Sequence, residues 1–427
     1  MIDILGLPGI ELVDLIVGNK RLTVVAEVSD AMSPLCDRCG KPMYRHGRRT
    51  NTFADTPLQM QPTKLEIIRT RYRCDVCKKM VVPELPFLDE RRRTTKRLVD
   101  AIRERCLSTT FHDMAQQTGL AVNTIKNIAL DMIANLENTV RFETPVVMGI
   151  DEIYLARGYR CVITNLATNT VFDMLEDRTQ QRLKRYFQKL PDSDKVEWVC
   201  TDIWRPFKKS FSEFLPSARI VIDKYHVVEK ASRVLDEERK KYQAQLSKNN
   251  RIFVKKSIRW LTLKRPANLT AAEQKALIEV RRAIPDLAYA YDFKENFYRI
   301  YDDPDKQSAM RTFEAWEKGL PAKGMDGFRT LAKTVRNHYE DIFAYWDSPN
   351  QITNVYTECL NGLIKIANRM GRGYSFEIIR AKTLYSKYAR KVGSSVRIVE
   401  ATGLPRTIEY GPHIPTLVDI AESGGLE

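Results

Sequence analysis

Two Cys-x-x-Cys pairs constrain the first hundred residues of this chain more than any other feature. Cys36-Asp37-Arg38-Cys39 and Cys74-Asp75-Val76-Cys77 are separated by 34 residues, 40–73. One such turn aims only two thiolates at a tetrahedral ion, so a closed structural site needs both turns in one place. The intervening chain must therefore double back, and strand-like stretches such as Lys64–Arg69 supply the means. The pattern predicts a zinc ribbon with one structural Zn2+ on Cys36, Cys39, Cys74 and Cys77; four free thiols are the alternative. Cys106, Cys161, Cys200 and Cys359 are scattered singly, which suits a reducing compartment and not a disulfide framework. Upstream, the apolar runs 11–17 and 22–28 flank Gly18-Asn19, the pattern of a β-hairpin. Around His46, which is either a substitute ligand or solvated, Tyr44, Arg45, Arg48 and Arg49 are placed to meet phosphate.

Charge points the same way. Lys plus Arg outnumber Asp plus Glu by 69 to 54, a net +15, which favours a polyanionic partner whose counterions are released on binding. The run from Glu90 to Arg97 reads equally as a solvated helix start or as a track for a DNA backbone through Arg92. Then 111–128, FHDMAQQTGLAVNTIKNI, has the form of a helix-turn-helix. Ala115 lets two helices approach, Gly119 permits the left-handed turn, and Leu120, Val122, Ile125 and Ile128 form a face to bury. Asn123, Thr124, Lys126 and Asn127 then project toward a major groove, the alternative being a helical hairpin without DNA contact.

From residue 145 the pattern changes to alternating strands and helices. A buried-strand run, 145–151, ends in Asp151; 159–166 and 170–175 are two more strands; 180–190 is helical; 195–202 is a strand ending in Asp202; 205–215 is helical and 218–223 a fifth strand. Three strands, helix, strand, helix, strand is the order of the ribonuclease H-like fold, in which the first and fourth strands are neighbours, so two carboxylates meet. Adjacent carboxylates repel unless a cation lies between them, and hard oxygen ligands suit Mg2+ or Mn2+. The helical stretch 351–365 offers a third acid, Glu358, with Asn361 and Lys365 on its side and Arg369, Arg372 and Arg380 beyond. Taken singly each acid reads as a surface or capping residue, and Glu152, Asp173, Asp177 and Asp223 compete nearby.

Five stretches together resemble the ISL3 family of bacterial insertion-sequence transposases: the cysteine pairs ending in Arg71-Tyr72-Arg73-Cys74, the helix-turn-helix, Gly149–Glu152, 201–206 with 221–228, and Ser348–Tyr374. The resemblance implies that Asp151, Asp202 and Glu358 are a DDE triad holding two Mg2+ (or Mn2+) ions. It also implies cutting at the terminal inverted repeats of an element and joining of the 3′ ends to target double-stranded DNA, by at least a homodimer. Asp223 and His226 match an Asp-x-x-His element of several DDE families and take, with Asn361, a supporting role. Arg48, Arg49, Arg92, Asn123, Thr124, Lys126, Lys365 and Arg369 are the expected DNA contacts. Family members often carry Gly after the glutamate and a second Asn after Asn361, where this chain has Cys359 and Gly362.

The expected architecture is a multidomain α/β protein: zinc ribbon 1–88, helix-turn-helix 89–142, ribonuclease H-like core 143–235 and 346–397 interrupted by an all-α insertion 236–345, and a tail 398–427. In the insertion a long charged helix 227–248 is expected, the aromatics read as core, and Lys255, Lys256, Arg259, Lys264 and Arg265 form a candidate DNA-facing stripe. No run approaches the roughly 18 apolar residues of a membrane span, and the first residues are acidic, which predicts a cytoplasmic protein without membrane contact. Two other readings use the same residues: a DNA-binding regulator with an inert core, and a nuclease of the same fold that cuts without joining.

Overall fold

A computed structural model describes residues 5–29, 33–203, 211, 213–244, 251, 258–386 and 396–398. The described residues divide into two compact units, one of those up to 141 together with those from 366 on, the other of those within 142–365.

The first unit opens with the expected hairpin, β1 (Ile10–Val17) and β2 (Leu22–Val28), paired antiparallel. Long strands β3 (Tyr44–Leu58) and β4 (Gln61–Arg73) pair antiparallel, and β4 lies parallel to β2. Short strands β5 (Met80–Val81), β6 (Leu88–Asp89) and β7 (Thr94–Thr95) complete a sheet of order β1-β2-β4-β3-β7-β6, with β5 on β4. Alternation in β2 and β4 puts Leu22, Val24, Ala26, Leu65 and Ile67 inside.

Three helices follow: α1 (Lys96–Arg105), α2 (Phe111–Thr118) and α3 (Val122–Thr139). Thr95 and Thr110 cap the first two by accepting from Leu98 N and Asp113 N. Gly119 ends α2 in the left-handed conformation, φ +71°, and a Cβ there would also lie 3.0 Å from Pro62 Cβ. Ile125, Ile128, Ala129 and Ile133 bury the inner face of α3. Val122, expected on that face, is 43% exposed, because the first residue of α3 precedes the turn that meets the core.

In the second unit, after the short β8 (Val140–Phe142) that leads into it, a five-stranded sheet has the order β11-β10-β9-β12-β13. Its strands are β9 (Val147–Leu155), β10 (Gly158–Asn165), β11 (Thr170–Leu175), β12 (Trp198–Thr201) and β13 (Arg219–Ile222). The first three run antiparallel as a meander, and β12 and β13 lie parallel to β9. β9 does not stop at Asp151 but runs four residues past it, because pairing with β10 continues to Leu155. Helix α4 (Gln180–Gln188) covers one face of the sheet with Leu183 and Phe187 against Met148, Ile150 and Val199. The helix expected over 205–215 falls mostly outside the described residues.

Helices α5 (Lys224–Ala244), α6 (Arg259–Leu263), α7 (Ala271–Ala283), α8 (Pro285–Arg299), α9 (Lys306–Lys318), α10 (Asp326–Asn337) and α11 (Tyr339–Phe343) follow β13. Their core includes Tyr291, Phe297, Trp316 and Phe328 and is continuous with Val147, Cys200 and Val221 of the sheet. Aromatic residues here are thus mainly packing groups, with Trp260 at 64% and Tyr289 at 47% exposed among the exceptions. Of the basic stripe, Lys264 pairs with Glu273 at 2.8 Å and Arg265 with Asp302 at 2.6 Å, while Lys255 and Lys256 fall outside the described residues. Helices α12 (Val355–Gly371) and α13 (Phe376–Tyr385) end the described helical part, and the tail beyond 398 is likewise outside it. Among the described residues no helix is long and apolar enough to cross a membrane.

Candidate active site and cysteine cluster

Strand register creates the acidic site. Cys200 pairs with Gly149 and Thr201 with Ile222, so continuing those parallel ladders by two residues and by one brings Asp151, Asp202 and Asp223 abreast. All three have the parity of one sheet face. Asp151 is 7% exposed and Asp223 fully buried, while Asp202 is half-buried just past the end of β12.

Helix α12 lies over this face and adds Glu358 in its first turn. Its N-terminus is fixed by a buried polar network. Asn354 Nδ2 donates to Ile150 O at 3.0 Å, and Thr357 Oγ1 donates to Asn354 Oδ1 at 2.6 Å. Thr357 Oγ1 is also 2.7 Å from Thr164 Oγ1, and the Asn354 N–H donates to Asp223 Oδ1 at 3.1 Å. Gly149 makes this approach sterically feasible, since a Cβ there would lie 2.5 Å from Thr164 Oγ1 and 2.6 Å from Asn354 Oδ1. One turn beyond Glu358, Asn361 Nδ2 donates to Asp151 Oδ2 at 2.8 Å.

Asp151, His226 and Glu358 each bring one ligand atom within 4.8 Å of the others; Asp202 is not part of that trio. His226, on the first turn of α5, places Nε2 3.3 Å from Glu358 Oε1. Burial pushes Asp151 up to about 7; His226 opposes this, and the charges of Asp202 and Asp223 add to it. Burial also raises Glu358 to about 7, again opposed by His226 and assisted by Asp151 and Asp223. Asp223 moves up for the same reason, burial. Asp223 Oδ2 and Asn361 Oδ1 are buried without hydrogen-bond partners. Two competing acids are instead claimed by cations, Glu152 by Arg178 and Asp177 by Arg182. A buried carboxylate cluster with orphaned oxygens, and with no Lys or Arg paired to Asp151 or Glu358 among the described residues, fits a divalent cation bound by oxygen and imidazole donors.

The four cysteines of the two pairs also converge, each placing its sulfur within 4.8 Å of the others. The turns are near copies: Gly40 N donates to Cys36 O and Lys78 N to Cys74 O, at 2.7 and 3.0 Å. The residue after each second cysteine is left-handed, Gly40 at φ +68° and Lys78 at φ +57°. Cys77 N donates to Cys74 Sγ at 3.4 Å, and this bond draws the Cys74 thiol down to about 7. Hydrogen bonding to Cys39 and burial push Cys77 up to about 12, because four crowded thiols do not all ionise without a cation. The donor set and spacing are compatible with tetrahedral Zn2+.

Among the expected DNA contacts, Arg48, Arg49, Asn123, Lys126, Lys365 and Arg369 are exposed or partly so, and Thr124 lies on the same turn of α3 as Asn123. Arg48 lies 3.0 Å from Glu27, and Arg92 is half-buried between Asp89 and Asp131, bracing α3. Sequence reasoning did not find Asn354, Thr357 or Thr164, whose roles depend on contacts 204 residues apart for Asn354 and Ile150 and 193 for the threonine pair. Gly149 carried a readable signal, since glycine inside an apolar strand marks close approach of another segment.

Comparison with known proteins defines the class first. A family described as "Transposase" matches residues 148–383, more than half of the chain, and this span contains every residue of the acidic site. A second, described as the helix-turn-helix domain of transposase family ISL3, matches residues 83–132. The chain belongs to the ISL3 family of transposases. It is 25% identical over 352 residues to the transposase for insertion sequence element IS1001 of Bordetella parapertussis, covering 80% of this chain and 85% of that protein.

Proposed function

We propose that this transposase binds the terminal inverted repeats of its element, cuts at the ends and joins the 3′ ends to target DNA, using Asp151, Asp202 and Glu358 as a DDE triad on a ribonuclease H-like core. The observation that carries it is the convergence of Asp151, Glu358 and His226 on a sheet face where Asp202 and Asp223 stand alongside. The strand order, an antiparallel meander followed by two parallel strands on its first member, supports the ribonuclease H-like assignment. The helices between β13 and α12 are then an insertion within that core.

Two Mg2+ or Mn2+ ions held by the triad, with His226 within reach, would activate the attacking oxygen and stabilise the leaving one in an in-line displacement. The chain's own residues prepare that site. Asn361 fixes the carboxylate plane of Asp151, and the Asn354–Thr357–Thr164 network fixes the helix that carries Glu358. Exposed Lys365, two turns from Glu358, and Arg369 one turn further offer cations to the DNA backbone. In the other unit, Cys36, Cys39, Cys74 and Cys77 hold one structural Zn2+, and α3 presents Asn123, Thr124 and Lys126 to the major groove. Synapsis of two ends requires at least a homodimer.

The test is cleavage and strand transfer on a duplex carrying the element terminus, with Mg2+, by the wild type and by Asp151→Ala, Asp202→Ala and Glu358→Ala. Joining lost in all three supports the triad, and Asp202→Asn retains end binding while losing cleavage. Wild-type cleavage by any of them removes that residue from the triad. Cutting without joining in the wild type reassigns the protein as a nuclease, and tight binding with neither activity as a regulator.

A further inference from the structure

In the first unit a cleft of about 270 Å³ opens between the β3–β4 hairpin and the helix-turn-helix. Arg21, Lys64 and Arg93 line it together with Thr52, Thr63, Thr118 and Gly119. Two of its three cations differ from their neighbours. Arg69 pairs with Glu90, Arg92 with Asp89 and Asp131, Arg97 with Asp55, and Arg103 with Asp100. Lys64 too is held, at 2.5 Å from Glu66. Arg21 and Arg93 are both exposed and, among the described residues, neither guanidinium makes an ion pair.

Both arginines are nevertheless placed by the fold. Arg21 rests on the turn of the helix-turn-helix, where a Cβ on Gly119 would lie 3.3 Å from its Nη2. Arg93 sits at φ +54°, a left-handed conformation a side chain adopts at a cost, with its carbonyl accepting from Ala54 N at 2.9 Å. Two unneutralised guanidinium groups beside threonine hydroxyls form a site for an anion with several acceptor oxygens. The adjoining turn leads directly into α3, so the anion that reaches the cleft when α3 meets DNA is a backbone phosphate.

We propose that Arg21 and Arg93 clamp the DNA backbone at this cleft, so that the cysteine-bearing sheet and the helix-turn-helix grip one stretch of duplex together. This rests on the reading of the protein as a DNA-binding transposase. The clamp carries affinity and not base selection, since both groups address phosphate.

The experiment measures affinity of the full chain for a duplex from the element terminus and for a mixed-sequence duplex of equal length, across a salt series, with zinc content and circular dichroism as folding controls. Each lost phosphate contact lowers the slope of log K against log salt by about 0.9, so the doubly substituted Arg21→Gln/Arg93→Gln protein should lose about 2 from the slope on both duplexes. Its preference for the element terminus should be unchanged. Arg103→Gln, an ion-paired surface arginine, removes the same charge per site and should leave the slope within about 0.3 of wild type. Arg21→Lys keeps the charge and should restore most of the slope lost by Arg21→Gln. An unaltered slope in the folded double variant, or an equal loss in Arg103→Gln, overturns the clamp while the transposase reading stands. Absence of DNA binding by the wild type overturns both.

Discussion

Asn354 offers the sharpest test of how the site is held together. Its side chain is fully buried, donates to Ile150 O and accepts from Thr357 Oγ1, and its backbone begins the helix bearing Glu358. Asn354→Ala removes two hydrogen bonds worth about 1 kcal/mol each. Leaving buried groups without their partner beside Gly149 adds about 1 kcal/mol more, for a total of roughly 2–4 kcal/mol. The first turn of α12 then loses its anchor to β9, and because Glu358 N donates to Asn354 O, the glutamate moves with it. A displacement of about 1 Å at a reacting centre costs on the order of 100-fold in rate. Strand transfer should therefore fall by about that factor while end binding and zinc content stay at wild-type levels. Asn354→Asp separates shape from chemistry. The isosteric carboxylate turns a donor into a second acceptor facing Ile150 O, beside Asp223, and should destabilise more than alanine. Urea unfolding and a strand-transfer assay read the two effects. An Asn354→Asp protein as stable and active as wild type would refute the reasoning, because the amide would then be incidental to the placement of Glu358.

Three further outcomes are expected. Without added divalent cation, the raised Asp151 group contributes stability fully below its unfolded value of 3.8 and loses it as pH rises through about 7, so Asp151→Asn should flatten this slope and raise Tm at pH about 7.5 while abolishing joining; a Tm at or below wild type there contradicts the assignment. Cys74→Ser should bind less than one equivalent of zinc and weaken sequence-specific binding, and unchanged zinc by atomic absorption would remove the ribbon. Lys382 Nζ donates to the carbonyls of Cys106, Leu107 and Thr109 at 2.6, 3.2 and 2.9 Å, and burial depresses it to about 8. Its unfolded form stays protonated to about 10.5, so wild-type stability should rise between pH 8 and 10.5 relative to Lys382→Met; parallel pH–stability curves would exclude a buried, depressed lysine.

Much of this protein was already decided by local sequence. Two Cys-x-x-Cys turns can close one site, Gly119 can end a helix left-handed, and apolar runs at strand periodicity can lead up to Asp151 and Asp202, because each depends on neighbours within a few residues. The helical stretch 351–365 offered Glu358, and the family resemblance implied its place in the triad. The tertiary structure decided what distance along the chain conceals. Strand order set Asp151, Asp202 and Asp223 abreast, and packing of α12 on β9 brought Asn361 onto Asp151 across 210 residues. It drew His226 to the acids and paired Arg92, Lys264 and Arg265 with carboxylates, while leaving Arg21 and Arg93 open at the helix-turn-helix. Charge and residue type are written in the sequence. Whether a guanidinium is neutralised or an amide is buried depends on what the fold brings within hydrogen-bond reach.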